Sequence, residues 1–248
     1  MTLFRIIGFV LFSASIATST PNRMVRGNIT NIEKYPYIAS VEVFRHGYYW
    51  MHTCTASILT ARFVLSAAQC FIGREMIPRY IRIRAGTSEL FQRGMVVYVE
   101  NIINHPNYCH RTKRNDISMV KLMRALPSLP TIQQATIVAH GTKIPDNLLV
   151  DLVGWGFDSK VLRNMTVYTV NNKLCAQQYA KTGFKVTGDM ICSGILDHRR
   201  DLCRYDIGGP MLYKGILIGV NSKCVSGHLP LVSTSVTSYT NWITKTAH

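Results

Sequence analysis

The segment DLCRYDIGGPMLY, residues 201–213, has the residue types of a loop that presents a catalytic nucleophile. An acid followed shortly by Gly-Gly-Pro is typical of such a loop, in which the residue between them carries the reactive atom. Here that residue is Ile207, between Asp206 and Gly208. Because a hydrocarbon cannot attack a substrate, the loop has the design for nucleophilic catalysis without its reactive group.

The seven cysteines are the other residues with reactive side chains. Metal ligation and disulfide formation are the competing chemistries. No C-x-x-C or H-x₃-H spacing supports a metal site, and we predict neither a metal nor another cofactor. In an oxidising compartment the thiols would form bridges. Since seven is odd, at least one cysteine is unpaired or pairs with another chain.

The N-terminus indicates such a compartment. Arg5 is followed by the apolar run IIGFVLF and then by the small residues SASIATST, which is the pattern of a secretory signal. We predict a signal peptide at 1–19 and a short propeptide at 20–23, with a buried strand as the competing interpretation. No later apolar run is long enough to span a bilayer. We therefore expect a secreted, extracellular protein without a transmembrane anchor.

The chain is strongly basic, with 28 Lys and Arg against 13 Asp and Glu and a net charge of +15. Such a surface attracts polyanions such as sulfated glycans. Arg82 and Arg84 alternate with isoleucines, so a strand would place both on one face. Two further basic clusters are Arg111, Lys113 and Arg114, and Arg199, Arg200 and Arg204. The default interpretation is that these residues form a solvated face. The alternative is that they bind a polyanion or an acidic partner protein. Nothing in the sequence indicates binding of a specific nucleic acid.

Short apolar runs must position these residues. They are rich in Val, Ile, Tyr and Thr, are separated by turn residues, and are typical of an all-β barrel or sandwich. Examples are YIASVEVF, YIRIRAG, MVVYVENIINH and ILIGVNS. Only the C-terminus is clearly helical in pattern, with Val236, Tyr239, Trp242 and Ile243 on one helical face. The Pro-marked segment Leu126–Gln134 is the best candidate for a link between two halves.

Five motifs occur in an order that resembles the chymotrypsin/trypsin-like serine proteases from residue 24 to the end. They are HTCTASILTARFVLSAAQC, NDISMVKL, VGWG, DLCRYDIGGP and NWI. The resemblance implies an all-β fold of two antiparallel six-stranded barrels, at about 24–130 and 131–234, with a C-terminal α-helix at about 235–246. It also implies a catalytic cleft between the barrels.

The resemblance identifies the three catalytic positions. The family uses a Ser nucleophile, a His base and an Asp that orients the His. Asp116 matches the Asp, but the His position is Gln69 and the Ser position is Ile207. Asp116 would then be retained without its partners, and we predict that the chain is not an enzyme. Tyr205 replaces a glycine of the oxyanion hole and restricts that backbone conformation.

The resemblance also bears on specificity and activation. Asp201 matches the acid at the base of a trypsin-type pocket, and a surface carboxylate is the competing interpretation of this residue. Leu231 replaces a glycine that lines the pocket, and its side chain would fill the pocket. Arg23 resembles the activation cleavage site, and the freed amine of Met24 would pair with the buried Asp206. An uncleaved, floppy N-terminus is the competing interpretation.

The disulfides that the resemblance implies are Cys54–Cys70, Cys175–Cys192 and Cys203–Cys224. Cys109 is then left as a free thiol or as the bridge of a covalent dimer. Two sequons, at Asn28 and Asn164, are candidates for N-glycosylation.

Three functions fit these features. The first is a secreted homologue without proteolytic activity that acts by binding an unidentified protein, as a regulator, decoy or adhesive module. The alternatives are a trypsin-like serine endopeptidase with residual or non-standard activity, and a basic polyanion-binding protein on a protease scaffold.

Overall fold

The computed structural model describes residues 27–45, 47–73, 76–156, 159–194, 206–225 and 229–247. Strands dominate these ranges, and they also contain the helices α1 (Asn172–Tyr179) and α2 (Val236–Thr246). The strands are β1 (Asn28–Ile29), β2 (Ile38–Arg45), β3 (Tyr49–Ile58), β4 (Phe63–Ser66), β5 (Ile81–Ala85), β6 (Met95–Asn104), β7 (Ser118–Leu122), β8 (Thr136–Ile137), β9 (Leu149–Gly154), β10 (Arg163–Val170), β11 (Met190–Gly194), β12 (Pro210–Tyr213), β13 (Ile216–Lys223) and β14 (Leu231–Ser235).

The first barrel is a closed antiparallel sheet in the order β2-β3-β4-β7-β6-β5. Successive side chains of a strand point to opposite faces of the sheet. In β5, Ile81 and Ile83 are inside the core, and Arg82 and Arg84 lie on the other face. This confirms the shared face expected for the two arginines.

Both arginines are ion-paired within the protein. Arg82 Nε and Arg84 Nε donate to the two oxygens of Glu42, each at 2.6 Å, and Glu42 is 0% exposed. Arg82 also lies over the ring of Trp50, 4.0 Å from its centroid. The pair is therefore neither a solvated face nor a free polyanion site, because a buried carboxylate holds both charges.

The second barrel closes through β9-β10-β11-β14-β13-β12, with β12 pairing back to β9. Two short strands extend this sheet: β8 runs parallel to β13, and β1 pairs with β10. Residues 28–29 therefore join the second barrel, and not the first as the expected boundary at 130 implied. Together the barrels confirm the two-barrel all-β fold.

The sequence predicted one of the two helices. The helix expected at 235–246 is α2, which packs Val236, Tyr239 and Ile243 into the main apolar core. Helix α1 was not predicted, because it buries only Cys175 and Tyr179 and so lacks an apolar stripe. Its start is fixed by Asn171, whose side chain accepts the backbone N–H of Lys173 and Leu174. Over the described ranges, no helix is both long and apolar enough to span a bilayer.

Candidate active-site cleft

Asp116 lies just before β7, where the two barrels meet, and is 0% exposed. Its Oδ1 accepts the backbone N–H of Gln69 at 2.8 Å. Its Oδ2 accepts both Gln69 Nε2 and Ser222 Oγ at 2.5 Å. Thr234 Oγ1 donates to the Asp116 backbone carbonyl at 2.9 Å. Asp116 therefore has donors from both barrels, while the His and Ser positions of the family triad hold Gln69 and Ile207.

Gln69 is in a 3₁₀ turn after β4, and its neighbour Cys70 is disulfide-bonded to Cys54. One amide N–H bonds Asp116, and the other donates to the backbone carbonyl of Ser222 at 2.5 Å. A carboxylate and a carbonyl only accept hydrogen bonds, so the amide nitrogen must face them. The amide thus occupies the base position as a neutral double donor, which does not take up a proton near neutral pH.

Ser222 is a site residue that sequence reasoning missed. No local pattern around Asn221–Ser222 indicates this role, because its partner Asp116 lies 106 residues away in the sequence. Ser222 donates to Asp116 and accepts from Gln69, so it closes a three-residue cycle of hydrogen bonds. Burial raises the pKa of Asp116, and the hydrogen bonds from Ser222 and Gln69 and the charge of Lys113 oppose this rise.

Asp206 is the second buried carboxylate of the cleft. Its Oδ2 accepts Thr55 Oγ1 and the backbone N–H of Trp155, both at 2.7 Å, and lies 3.3 Å from His52 Nε2. The other ring nitrogen of His52 is 2.7 Å from Ser40 Oγ. Burial alone would raise the pKa of Asp206, but the charge and hydrogen bond of His52 and the other donors lower it.

The loop after Asp206 is held by contacts of Ile207 and by close packing at two glycines. The half-buried Ile207 packs against the main apolar core, and its carbonyl accepts the Thr55 backbone N–H at 3.0 Å. Gly208 has φ +79° and a Cβ there would lie 2.4 Å from the Thr55 carbonyl oxygen, so only glycine fits. Gly154 has a similar role, because its Cβ would lie 2.6 Å from Asp206 Oδ2.

Two lysines are close in sequence to residues of the Asp116 site. Lys223 directly follows Ser222, and its Nζ is 4.9 Å from the ring centroid of Phe184. Lys113 comes three residues before Asp116, and its Nζ is 3.5 Å from His110 Nδ1. Burial lowers the pKa of Lys113, the charge of Asp116 raises it, and the charge of Lys223 lowers it further.

Several sequence predictions lie outside the described residues. They are the signal peptide and propeptide, Arg23, Met24, Arg199, Arg200, Asp201, Cys203, Arg204 and Tyr205. The Met24–Asp206 pair and the Asp201 pocket therefore stay predictions. Leu231 is buried in the apolar cluster inside the second barrel, and whether it also fills the pocket stays a prediction.

The structure contains the Cys54–Cys70 and Cys175–Cys192 disulfides that the resemblance implied. Cys224 is also disulfide-bonded. Cys109 is a free, half-exposed thiol, and hydrogen bonds from Thr112 lower its pKa.

Comparison with known proteins gives the family. The Trypsin family model matches residues 24–243. The chain belongs to the trypsin family. This trypsin-family chain is 35% identical to alkaline trypsin C of Manduca sexta over 254 aligned residues, which cover 98% of each chain. It is 32% identical to trypsin CFT-1 of Choristoneura fumiferana, with 96% of each chain covered.

A solved structure supports the trypsin fold separately. It is the crystal structure of a scabies mite inactivated protease paralogue, S-D1, which matches with a TM-score of 0.80 at 24% sequence identity. The match covers 89% of this chain and 96% of that chain.

The relatives correct one prediction. Proteins named trypsins, at 30% to 35% identity over nearly the whole chain, point to a trypsin-like peptidase. The prediction that the chain is not an enzyme is therefore wrong. The relatives' names carry no residue assignment, and positions 69 and 207 of this trypsin-family chain hold an amide and a hydrocarbon.

Proposed function

We propose that this trypsin-family chain is secreted and acts chiefly by binding a protein in the cleft between its barrels, with residual peptidase activity. The observation that carries the proposal is the hydrogen-bonding of Gln69. Both of its amide N–H groups are engaged, one by Asp116 and one by the Ser222 carbonyl. The cleft is thus kept in order by a residue that cannot act as a general base.

The chemistry of the two altered positions limits hydrolysis. The family mechanism needs a proton acceptor at the His position and a hydroxyl at the Ser position. When members of such a triad are removed, binding and oxyanion donors still leave roughly 10³–10⁴-fold catalysis over water. We expect peptide hydrolysis by this chain at or below that level, through groups other than Gln69 and Ile207, because Tyr205 also replaces a glycine of the oxyanion hole.

The ordered cleft supports a binding role. Asp116 is fixed by Gln69 from the first barrel and by Ser222 and Thr234 from the second. Such bonds hold the cleft in one arrangement before a partner arrives, which lowers the entropic cost of binding. The signal pattern at 1–19 and the disulfides support secretion.

The first experiment measures chemistry. The secreted chain is incubated with Arg- and Lys-containing peptides and with a serine-reactive phosphonate probe. We expect no labelling of a serine in the folded protein and hydrolysis no more than about 10⁴-fold above water. The double variant Gln69→His/Ile207→Ser, which restores both groups, should hydrolyse faster. Turnover of the natural chain at the rate of an ordinary trypsin would contradict the proposal.

The second experiment measures binding. Proteins retained from the native secretion by the immobilised chain should be lost when Ile207→Arg places a charge at the cleft. Met123→Arg is the matched control, because Met123 is 59% exposed and follows the end of β7, whereas Asp116 precedes its start. Equal retention by the natural chain and both variants would place the binding surface outside the cleft and overturn the proposal.

A further inference from the structure

The carbonyl of Ser222 lies outside the hydrogen-bond ladder of its own sheet. Strand β13 pairs with β14 at Asn221 and at Lys223, and the register shifts between these two residues. Ser222 is therefore the extra residue of a β-bulge, and such a residue is left unpaired in the ladder. Its carbonyl instead accepts the side-chain amide of Gln69 from the first barrel, at 2.5 Å.

The other edge of β13 loses its strand partner at the same point. Strand β12 pairs with β13 only as far as Pro210 and Val220. The N–H of Asn221 then donates to the Gly209 carbonyl at 2.8 Å, and past Asn221 the described residues form no further backbone hydrogen bond with β13 on the side of β12. An unpaired strand edge is where an extended peptide can add through main-chain hydrogen bonds.

Gln69 occupies the position that a peptide main chain would need at this edge. A peptide N–H and the side-chain N–H of Gln69 are both amide donors, so either can satisfy the Ser222 carbonyl. Gln69 is half-exposed, whereas Ser222 is 3% exposed, so an approaching ligand meets the donor of this hydrogen bond first. The same amide nitrogen also donates to Asp116 Oδ2 at 2.5 Å, which holds it in place over the carbonyl.

We propose that the Gln69 amide caps the Ser222 carbonyl and so closes the edge of β13 to the main chain of an extended peptide. The inference rests on the proposed function, because it concerns how a protein in the same cleft is recognised. While the cap is in place, that protein is held through its side chains and not through strand pairing at Ser222. Removal of the amide should open the edge, because a buried carbonyl without a donor gains when a main-chain N–H binds it.

The test compares the full secreted chain with its Gln69→Ala variant, which keeps the backbone N–H of residue 69 that donates to Asp116 Oδ1 at 2.8 Å. The ligands are a pool of fluorescent hexapeptides and their ester twins, in which one main-chain N–H at a time is replaced by oxygen. Fluorescence polarisation should show that the best amide peptide binds Gln69→Ala about three- to tenfold tighter than the natural chain, as expected for one added main-chain hydrogen bond. The twin that lacks the pairing N–H should gain nothing.

Ser222→Ala is the matched control. It also removes a side-chain donor from Asp116 Oδ2, but it leaves the backbone carbonyl of position 222 bonded to the Gln69 amide. This variant should therefore gain no affinity for the amide peptides. Gln134→Ala removes an exposed amide and should alter the affinity less than twofold. Circular dichroism melting should show that every variant is folded at the temperature of the binding measurement.

Four results would overturn the inference. The first is that Gln69→Ala gains no affinity, and the second is that it gains equally for a peptide and for every ester twin. The third is an equal gain by Ser222→Ala, which would mean that a loosened cleft and not an opened carbonyl admits the peptide. The fourth is a preference of the natural chain itself for amide peptides over their twins, which would show that the carbonyl accepts a peptide beside Gln69.

The outcomes also separate the inference from the proposed function. If Gln69→Ala gains no affinity while Ile207→Arg still loses the proteins captured from the secretion, the cap is refuted and cleft binding stands. If Gln69→Ala gains affinity for the amide peptides alone while Ile207→Arg retains every captured protein, the cap is supported and the proposed function fails.

Discussion

Gln69 shows how one residue preserves an arrangement while changing what it does. In place of a base, an amide gives two hydrogen bonds to groups that only accept, the Asp116 carboxylate and the Ser222 carbonyl. A buried carboxylate that loses such donors has nothing to replace its lost hydration, and this destabilises the folded state. The amide therefore has a structural role, and its removal should lower the free energy of unfolding.

Gln69→Leu tests this. The variant removes both side-chain donors and leaves Asp116 Oδ2 with Ser222 as its donor, so the free energy of unfolding should fall by about 1–3 kcal/mol. Urea denaturation measures the difference. Gln134→Leu is the control, since Gln134 is exposed, and its effect should be under about 0.5 kcal/mol. Equal effects would show that the hydrogen bonds of Gln69 contribute nothing.

Asp206 gives a pH-dependent prediction. Its pKa is lowered in the folded state, so its contribution is present above the unfolded pKa of about 3.9 and is lost as the pH falls through the folded value. Below about pH 4, the natural chain should lose stability more steeply than Asp206→Asn. Thermal melts between about pH 2 and pH 6 measure the two slopes. Parallel curves would show that Asp206 has no linkage to folding.

Strand β1 determines the accessibility of the two sequons. It pairs with β10 so that Asn28 lies directly opposite Asn164. Asn28 is exposed, whereas Asn164 is 8% exposed. A glycan is bulky and needs solvent around it, so a folded chain with β1 in place has room for one at Asn28 and not at Asn164.

We therefore expect one N-glycan, at Asn28. Enzymatic removal of N-glycans should decrease the mass of the secreted chain and of Asn164→Gln equally. The mass of Asn28→Gln should not change. A glycan that remains on Asn28→Gln would mean that Asn164 is modified and that β1 is displaced from β10 in that form.

Local patterns predicted much of the element structure, and long-range contacts account for what was missed. Strand β5 and helix α2 carry clear periods of two and 3.6 residues. Strand β10 and helix α1 were missed, because β10 buries the polar residues Asn164 and Thr169 and α1 has few buried residues. The face of Arg82 and Arg84 was predicted, but their partner Glu42 comes from another strand.

At the scale of the whole molecule, the two-barrel architecture followed from the order of five motifs, whereas the site required contacts that join distant segments. Ser222 Oγ reaches Asp116 across 106 residues, and Thr55 Oγ1 reaches Asp206 across 151. No local pattern encodes such pairs. The family resemblance located Asp116, Gln69, Asp206 and Ile207, but it could not show that Gln69 would satisfy Asp116.

The same contacts have a mechanical consequence. Gln69 of the first barrel bonds Ser222 of the second, and Asp206 of the second barrel accepts from Thr55 of the first. In both hydrogen bonds the donor belongs to the first barrel and the acceptor to the second, and rotation of one barrel against the other would break several buried hydrogen bonds at once. These hydrogen bonds fix the orientation of the two barrels relative to each other. The barrels should therefore unfold together in a single cooperative thermal transition.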